Sequence, residues 1–466
     1  METRKLYINN EWVDSKSGKY IEVENPYTRE IIGRVAAGNE EDVDIAVAGA
    51  KEALKTWQFS PIEKRIEAVQ HLVDYFKDHK EEIVNTIIDE LGSVVKFTAS
   101  VHFDVYISNV EDFIRLAKEF KFEEKIRDFN VYKEPVGVVA CITPWNFPLG
   151  QITKKVVPAL LMGNTIVLKP SQKTPLTGLY FAEALEGAGL PKGVFQLVTG
   201  RGREVGNALA LHPDVNMLSF TGSTSGGKEL MSLGIGTVKR NALELGGKSA
   251  SIILEDADLR SSIKATMDNV FPNAGQACSS KTRMLLPRSL KEEARDLIIE
   301  LAGSYKYGDP RDPENDYGPV QSDQAFDKIL SYIEYGKEHY EALFEGKIDK
   351  DHRIFGPFVF DDVDNSSKIA QEEIFGPVLC VIYYDTVEEA IDIANDSIYG
   401  LHGMVFGDTE KAVEVAKRIK TGQIQINNAV RTHDAPFGGY KQSGIGREGS
   451  KYAFDEYVEI KTLFIK

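Results

Sequence analysis

A cysteine at position 278 stands in the stretch GQACSS, Gly275 to Ser280, among neighbours that are all small or polar. A thiolate there can reach an electrophilic carbon, because Ala277 and Ser279 put no bulk in its way. The chain's other two cysteines, Cys141 in VVACI and Cys380 in VLCVI, sit inside apolar runs and read as small core residues. Spacing alone leaves that reading open for Cys278 as well. The His and Asn or Asp that activate a papain-like thiol do not accompany it. A carboxylate offers itself instead: Glu244 lies between Leu243 and Leu245 in NALELGGKS. Burial there would raise its pKa toward neutrality, where a general base works best; an exposed turn before Gly246-Gly247 is the alternative. Three widely spaced cysteines fit neither a disulfide framework nor zinc ligands, and the eight histidines form no HxxxH pair, so no metal is expected.

Two glycine-rich loops compete for a phosphate. GRGREVG, Gly200 to Gly206, follows an apolar run and precedes a helix-like segment, but its third glycine comes one place late for GxGxxG. A plain strand-to-helix turn explains it equally well. In SFTGSTSGGKEL, Ser219 to Leu230, Gly222 permits a tight turn and Ser223 or Thr224 can cap a helix whose free N–H groups would face a pyrophosphate. Lys228 is misplaced for a P-loop, so nothing supports ATP.

These residues need elements to hold them. The runs VGVVACI, NTIVLK, VFQLVTG and MLSFTG alternate with helix-length connections, which predicts parallel βαβ units with helices on both faces. Such sheets bind nucleotides at the carboxyl ends of their strands. Before them come short strands with turns at Asn9-Asn10 and Asn25-Pro26, then helical periodicity from Glu40 to Leu91. A second α/β stretch runs from about Lys248, and YVEIKTLFIK closes the chain as an alternating strand, an edge or a subunit contact.

A chain of 466 residues needs two or three domains or subdomains. Its formal charge of −16 opposes nucleic-acid and anionic-membrane binding. The segment METRKLYINNEWV lacks a secretory apolar core, and the longest apolar run, around Val156 to Met162, is far short of a membrane span. The expectation is a cytoplasmic protein without membrane or nucleic-acid partners.

Seven blocks in order resemble the signature blocks of the NAD(P)-dependent aldehyde dehydrogenase superfamily: PWNFP (Pro144 to Pro148), KPS (Lys169 to Ser171), FTGS (Phe220 to Ser223), LELGGKS (Leu243 to Ser249), GQACSS, EEIFGPV (Glu372 to Val378) and PFGGYKQSGIGRE (Pro436 to Glu448). They cover nearly the whole chain. The resemblance implies an α/β fold with a Rossmann-type parallel-sheet cofactor domain (residues 1–118 and 137–246), an α/β catalytic domain (247–445) and a small β oligomerisation element (119–136 and 446–466). It implies Cys278 as nucleophile, Asn146 with the Cys278 backbone N–H as oxyanion donors, and Glu244 as the base that activates water. Removing one oxyanion donor typically costs about 10²–10³ in rate. Lys155 and Glu448 match positions of a proton relay, though each also fits a surface charge.

For the cofactor, NAD or NADP, the resemblance implies Thr143, Pro144, Trp145, Lys169, Ser171, Gln172, Gly202, Phe220, Thr221, Gly222, Ser223, Leu245, Glu373 and Phe375. A solvated charge is the alternative for Lys169. Many NAD-preferring relatives read KPSE where this chain reads KPSQ; Gln172 removes a carboxylate that would repel a 2′-phosphate, which leaves NADP open. The implied reaction is oxidation of a small-molecule aldehyde to an acid by a homodimer or homotetramer. Transfer to coenzyme A and non-redox cysteine esterase chemistry are the rivals, and Glu244 speaks against the first. Gln151, Lys154 and VRTHDA (residues 430–435) are expected to border the aldehyde tunnel, polar for a long aliphatic chain.

Overall fold

The computed structural model describes residues 3–432 and 434–465, so His433 of the VRTHDA segment lies outside them. Five parallel strands form the centre of the first sheet: β1 (Val138–Ile142), β2 (Thr165–Lys169), β3 (Phe195–Leu197), β4 (Met217–Thr221) and β5 (Arg240–Glu244). Their spatial order is β5-β4-β1-β2-β3. Every residue of β1 and β2 is buried, as expected for strands covered on both faces. Alternation divides β1 between the faces. Val138, Ala140 and Ile142 pack with Val43 and Val47 of α1 (Glu40–Trp57). Val139 and Cys141 pack with Val156 and Leu160 of α3 (Pro148–Leu161) and with residues of α2 (Val105–Glu119). The four runs singled out in the sequence are strands β1 to β4, and Cys141 is a core residue.

Antiparallel strands flank this centre. Leu6–Ile8 joins β3 and turns back at Asn9-Asn10, both at positive φ, into Glu11–Val13. On the far side Gly444–Ile445, from the end of the chain's second α/β stretch, pairs with β5. Strand order reverses between β1 and β4, so their carboxyl ends frame a crevice.

The second sheet is parallel through β6 (Ala250–Ile253), β7 (Arg283–Pro287), β8 (Phe358–Phe360), β9 (Val378–Tyr384), β10 (His402–Phe406) and β11 (Gln423–Ile426), in the order β8-β9-β7-β6-β10-β11. Cys380 lies buried in β9. Leu245 to Gly247 carries the chain from the carboxyl end of β5 to the amino end of β6. A third, antiparallel sheet joins Glu123–Ile126, Phe129–Pro135 and Val458–Phe464, in register from Val458 opposite Pro135 to Phe464 opposite Phe129. Among the described residues no helix is long and apolar enough to cross a membrane.

Candidate active site

Cys278 lies five residues before β7, on a loop that follows a tight turn at Pro272–Gly275. Asn273 and Ala274 take positive φ there, costing of order 1 kcal/mol or more apiece, and a hydrogen-bond set holds them. Asn273 Nδ2 donates to the Asn146 carbonyl at 3.1 Å, Asn146 Nδ2 to the Gln276 carbonyl at 3.0 Å, and Gln276 Nε2 to the Asn273 carbonyl at 2.9 Å. The PWNFP loop and the cysteine loop are thereby locked together. Two glycines of LELGGKS let a third segment approach. A methyl group on Gly247 would meet the Cys278 carbonyl oxygen at 2.4 Å, and one on Gly246 would meet the Glu373 carboxylate at 2.7 Å.

Half-buried Cys278 lines two cavities at once. One, of about 400 Å³, is walled by Pro144, Trp145 and Asn146 after β1, by Thr221, Gly222 and Ser223 at the end of β4 and just beyond it, and by Leu245, Glu373 and Phe375. It opens where the strand order reverses. Ser223 caps α4 (Thr224–Gly234), its Oγ accepting from the Gly226 N–H at 3.1 Å. The Trp145 and Phe375 rings meet edge to face at 5.6 Å, with the Lys173 ammonium 5.2 Å from the Trp145 ring. Glu373 accepts from the Gly247 N–H at 3.0 Å, and burial raises its pKa. The other cavity, of about 370 Å³, runs past Tyr106, Phe147, Gln151, Lys154 and Phe437, with Ala277 and Ser279 beside the thiol.

Burial pushes the Cys278 thiol up to about 12, aided by the charges of Glu373 and Glu244 and opposed by Lys154 and Arg431. Neither donor expected to face an oxyanion is exhausted. Asn146 keeps a second amide proton, and the Cys278 N–H makes no hydrogen bond among the described residues.

Glu244 ends β5, is buried, and has no hydrogen-bond partner on either oxygen. Burial first, and the neighbouring Glu448 second, raise its pKa well above the ordinary carboxylate range. Lys155 and Glu448 are not surface charges: both are buried and paired with each other, and Lys155 Nζ also donates to Thr221 Oγ1 at 2.6 Å. Glu244 borders neither cavity as lining, but its charge reaches Cys278.

The remaining expected cofactor residues do not line the first cavity. Lys169 is no solvated charge; it is buried at the end of β2, donates to the Pro170 carbonyl at 3.0 Å, and burial lowers its pKa to about 8. Thr143 is buried with its hydroxyl unpartnered, and the Phe220 ring backs Gly222. Ser171 Oγ accepts from the Lys173 N–H at 3.2 Å. Gly202 opens a wide helical turn, Gly202–Gly206, with open space beside its Cα. Gln172 borders an adjoining open cavity with Arg201, which meets the first cavity at Lys173 and Gln324. Sequence reasoning missed Asn273, Lys173 and Arg201; only the Pro272-Asn273 break and the place of Arg201 inside GRGREVG hinted at them.

The chain matches the sequence profile of the aldehyde dehydrogenase family over residues 12–463. The chain belongs to the aldehyde dehydrogenase family. A Staphylococcus haemolyticus protein whose name provisionally calls it an aldehyde dehydrogenase is 44% identical, over 98% of each chain. Aldehyde dehydrogenase C of Pseudomonas syringae, solved as a cysteine-to-alanine mutant with NAD⁺ and octanal, is 40% identical with a TM-score of 0.97, covering 99% of this chain and 96% of that one. Betaine aldehyde dehydrogenase of Staphylococcus aureus, solved with NAD⁺, is 37% identical with a TM-score of 0.95, covering 99% and 94%. This aldehyde dehydrogenase thus shares its fold with enzymes whose NAD⁺ complexes are known.

Proposed function

We propose that this aldehyde dehydrogenase oxidises an aldehyde to a carboxylic acid, using NAD or NADP, through a covalent intermediate on Cys278. The observation that carries the reading is the position of Cys278 at the meeting of two cavities, beside Asn146. The first cavity fits a dinucleotide: two aromatic rings, the Glu373 carboxylate for ribose hydroxyls and the capped amino end of α4 for phosphate all face the switch point. Lys169, Gln172 and Gly202 continue it toward the adenosine end. When bound, the dinucleotide supplies the hydride acceptor.

The protein's own groups do the rest. Once its proton has passed to solvent, the Cys278 thiolate bonds to the aldehyde carbon from the second cavity, and the carbonyl oxygen becomes an oxyanion held by Asn146 Nδ2 and the Cys278 N–H. Tetrahedral carbon bearing that oxyanion is a far better hydride donor than the aldehyde. Once the carbon is oxidised, the acyl group stands on Cys278 as a thioester. Glu244 takes a proton from water as the water oxygen attacks; the C–S bond breaks, and the acid and the Cys278 thiolate are released. The buried Glu448–Lys155–Thr221 set offers the proton a way out. Glu244 also favours hydrolysis over transfer to coenzyme A.

The protein acts as a cytoplasmic homodimer or homotetramer, joined through the third sheet. The catalytic reading is tested by following absorbance at 340 nm with an aldehyde panel and each cofactor separately, without coenzyme A. Reduced cofactor must accumulate with wild type and not with Cys278→Ala; equal rates in the two would sink it.

A further inference from the structure

The cavity on the aldehyde side carries more positive charge than its surroundings answer. Lys154 makes no hydrogen bond and no ion pair among the described residues; its ammonium rests 4.4 Å from the Phe437 ring centroid and 5.7 Å from that of Tyr106. Arg431 lines the same cavity, and among the described residues its guanidinium reaches only His402 Nε2, at 3.4 Å. Lys281, 1% exposed, is held by the amide oxygens of Asn269 at 3.0 Å and Gln425 at 3.2 Å, not by a carboxylate. All three cations interact with Cys278.

Two of the acids nearby are engaged, and a third, Glu244, whose charge also reaches Lys154, has no hydrogen-bond partner but is held toward its neutral form by burial. Asp268, on the cavity wall, accepts from Lys264 and from the Tyr305 hydroxyl, and Glu448 is paired with Lys155. In a chain with 71 acidic and 55 basic residues, three cations around one cavity, none of them ion-paired among the described residues, run against the average. Lys154, half-buried, and Lys281, buried, are kept from water without an ion pair, which is costly, and an anion entering the cavity relieves that cost; Arg431 is exposed and adds only its field.

Building on the proposed function, we infer that the enzyme's substrates are aldehydes that carry an anionic group, carboxylate or phosphate, away from the aldehyde carbon, with Lys154 as its direct partner. Arg431 and Lys281 add to the attracting field. The same arrangement rejects a quaternary ammonium aldehyde, since Lys154 already occupies the aromatic faces that would receive it and repels its charge. A long alkyl aldehyde would leave Lys154 desolvated and unpaired.

The test is kcat/KM for matched substrates: succinate semialdehyde against butanal, glyceraldehyde 3-phosphate against glyceraldehyde, with octanal and betaine aldehyde as further arms. The expected result is at least a tenfold preference for the acidic member of one pair, identifying carboxylate or phosphate, and a preference that shrinks as salt rises. Lys154→Met should cut that preference tenfold or more, chiefly through KM, while Lys154→Arg keeps most of it. Equal or better use of the neutral member in both pairs, or a preference for betaine aldehyde or octanal, overturns the inference but leaves aldehyde oxidation standing. So does a Lys154→Met variant that slows both members of a pair by the same factor, since the lysine would then act on the thiol. If no aldehyde of any charge is oxidised, the proposed function falls first and takes this inference with it.

Discussion

Burial holds the Cys278 thiol up at about 12, so the protonated thiol predominates at pH 7. Alkylation of Cys278 by iodoacetamide, followed by peptide mass spectrometry, should therefore accelerate about tenfold per pH unit from 7 to 9 with no plateau. A plateau below pH 9 would mean that Lys154 and Arg431 outweigh burial. Cys141 and Cys380, both fully buried, should stay unlabelled in the folded protein. At this scale the neighbours of Cys278 and Glu244 raise a nucleophile and a base without deciding them, and it is the resemblance of seven blocks that assigns the roles. Asn273 and Lys281 could not be read from the sequence, because their importance comes from partners more than a hundred residues away, Asn146 and Gln425.

Among the elements, the strands could be read because apolar runs buried on two faces leave little alternative, and β1 to β4 fell where those runs are. The connections were less legible. The wide turns at Thr98–Asp104 and Gly202–Gly206 have no periodicity of their own to betray them. Nor does sequence reveal what starts the helix Leu176–Glu186 after the KPSQ loop. Its first N–H groups are capped by a distant carboxylate: Glu90, fully buried, accepts from the Leu176 N–H at 2.8 Å, the Thr177 N–H at 3.0 Å and the Thr177 hydroxyl. Burial nonetheless raises the Glu90 pKa to about 7, above its unfolded value. A carboxyl raised on folding costs nothing extra below its unfolded pKa. The cost grows as pH climbs between the unfolded and folded values, to at most roughly 3 kcal/mol, and then levels off. Glu90→Gln cannot ionise, and its amide imposes a pH-independent offset by facing one donor with another. The melting temperature of the variant minus that of wild type should thus rise from pH 5 to pH 8; parallel curves would refute the assignment.

For the whole molecule, the question is what covers the third sheet. Val458–Phe464 lies at the edge of that sheet, paired on one side only, with Ile460 69% and Phe464 83% exposed and Leu463 beside them. A seven-residue edge with apolar side chains in water invites another strand, and a self-complementary contact with a second copy is the simplest way to close it. The edge is also anchored to the site. The Val136 N–H donates to the Tyr457 carbonyl at 3.2 Å, the Tyr457 hydroxyl bonds Ser219 of β4 at 2.8 Å, and Glu448 lies just before the helix Ser450–Glu456 that leads into the strand. Light scattering on the eluting protein should give a mass twice or four times that of one chain. The double variant Ile460→Asp, Phe464→Asp places two charges where the contact would form; because both side chains point into solvent within a single chain, its far-UV circular dichroism should match wild type while its mass falls. Wild type eluting as a single chain, or a double variant that stays assembled, would mean that subunits meet elsewhere or not at all.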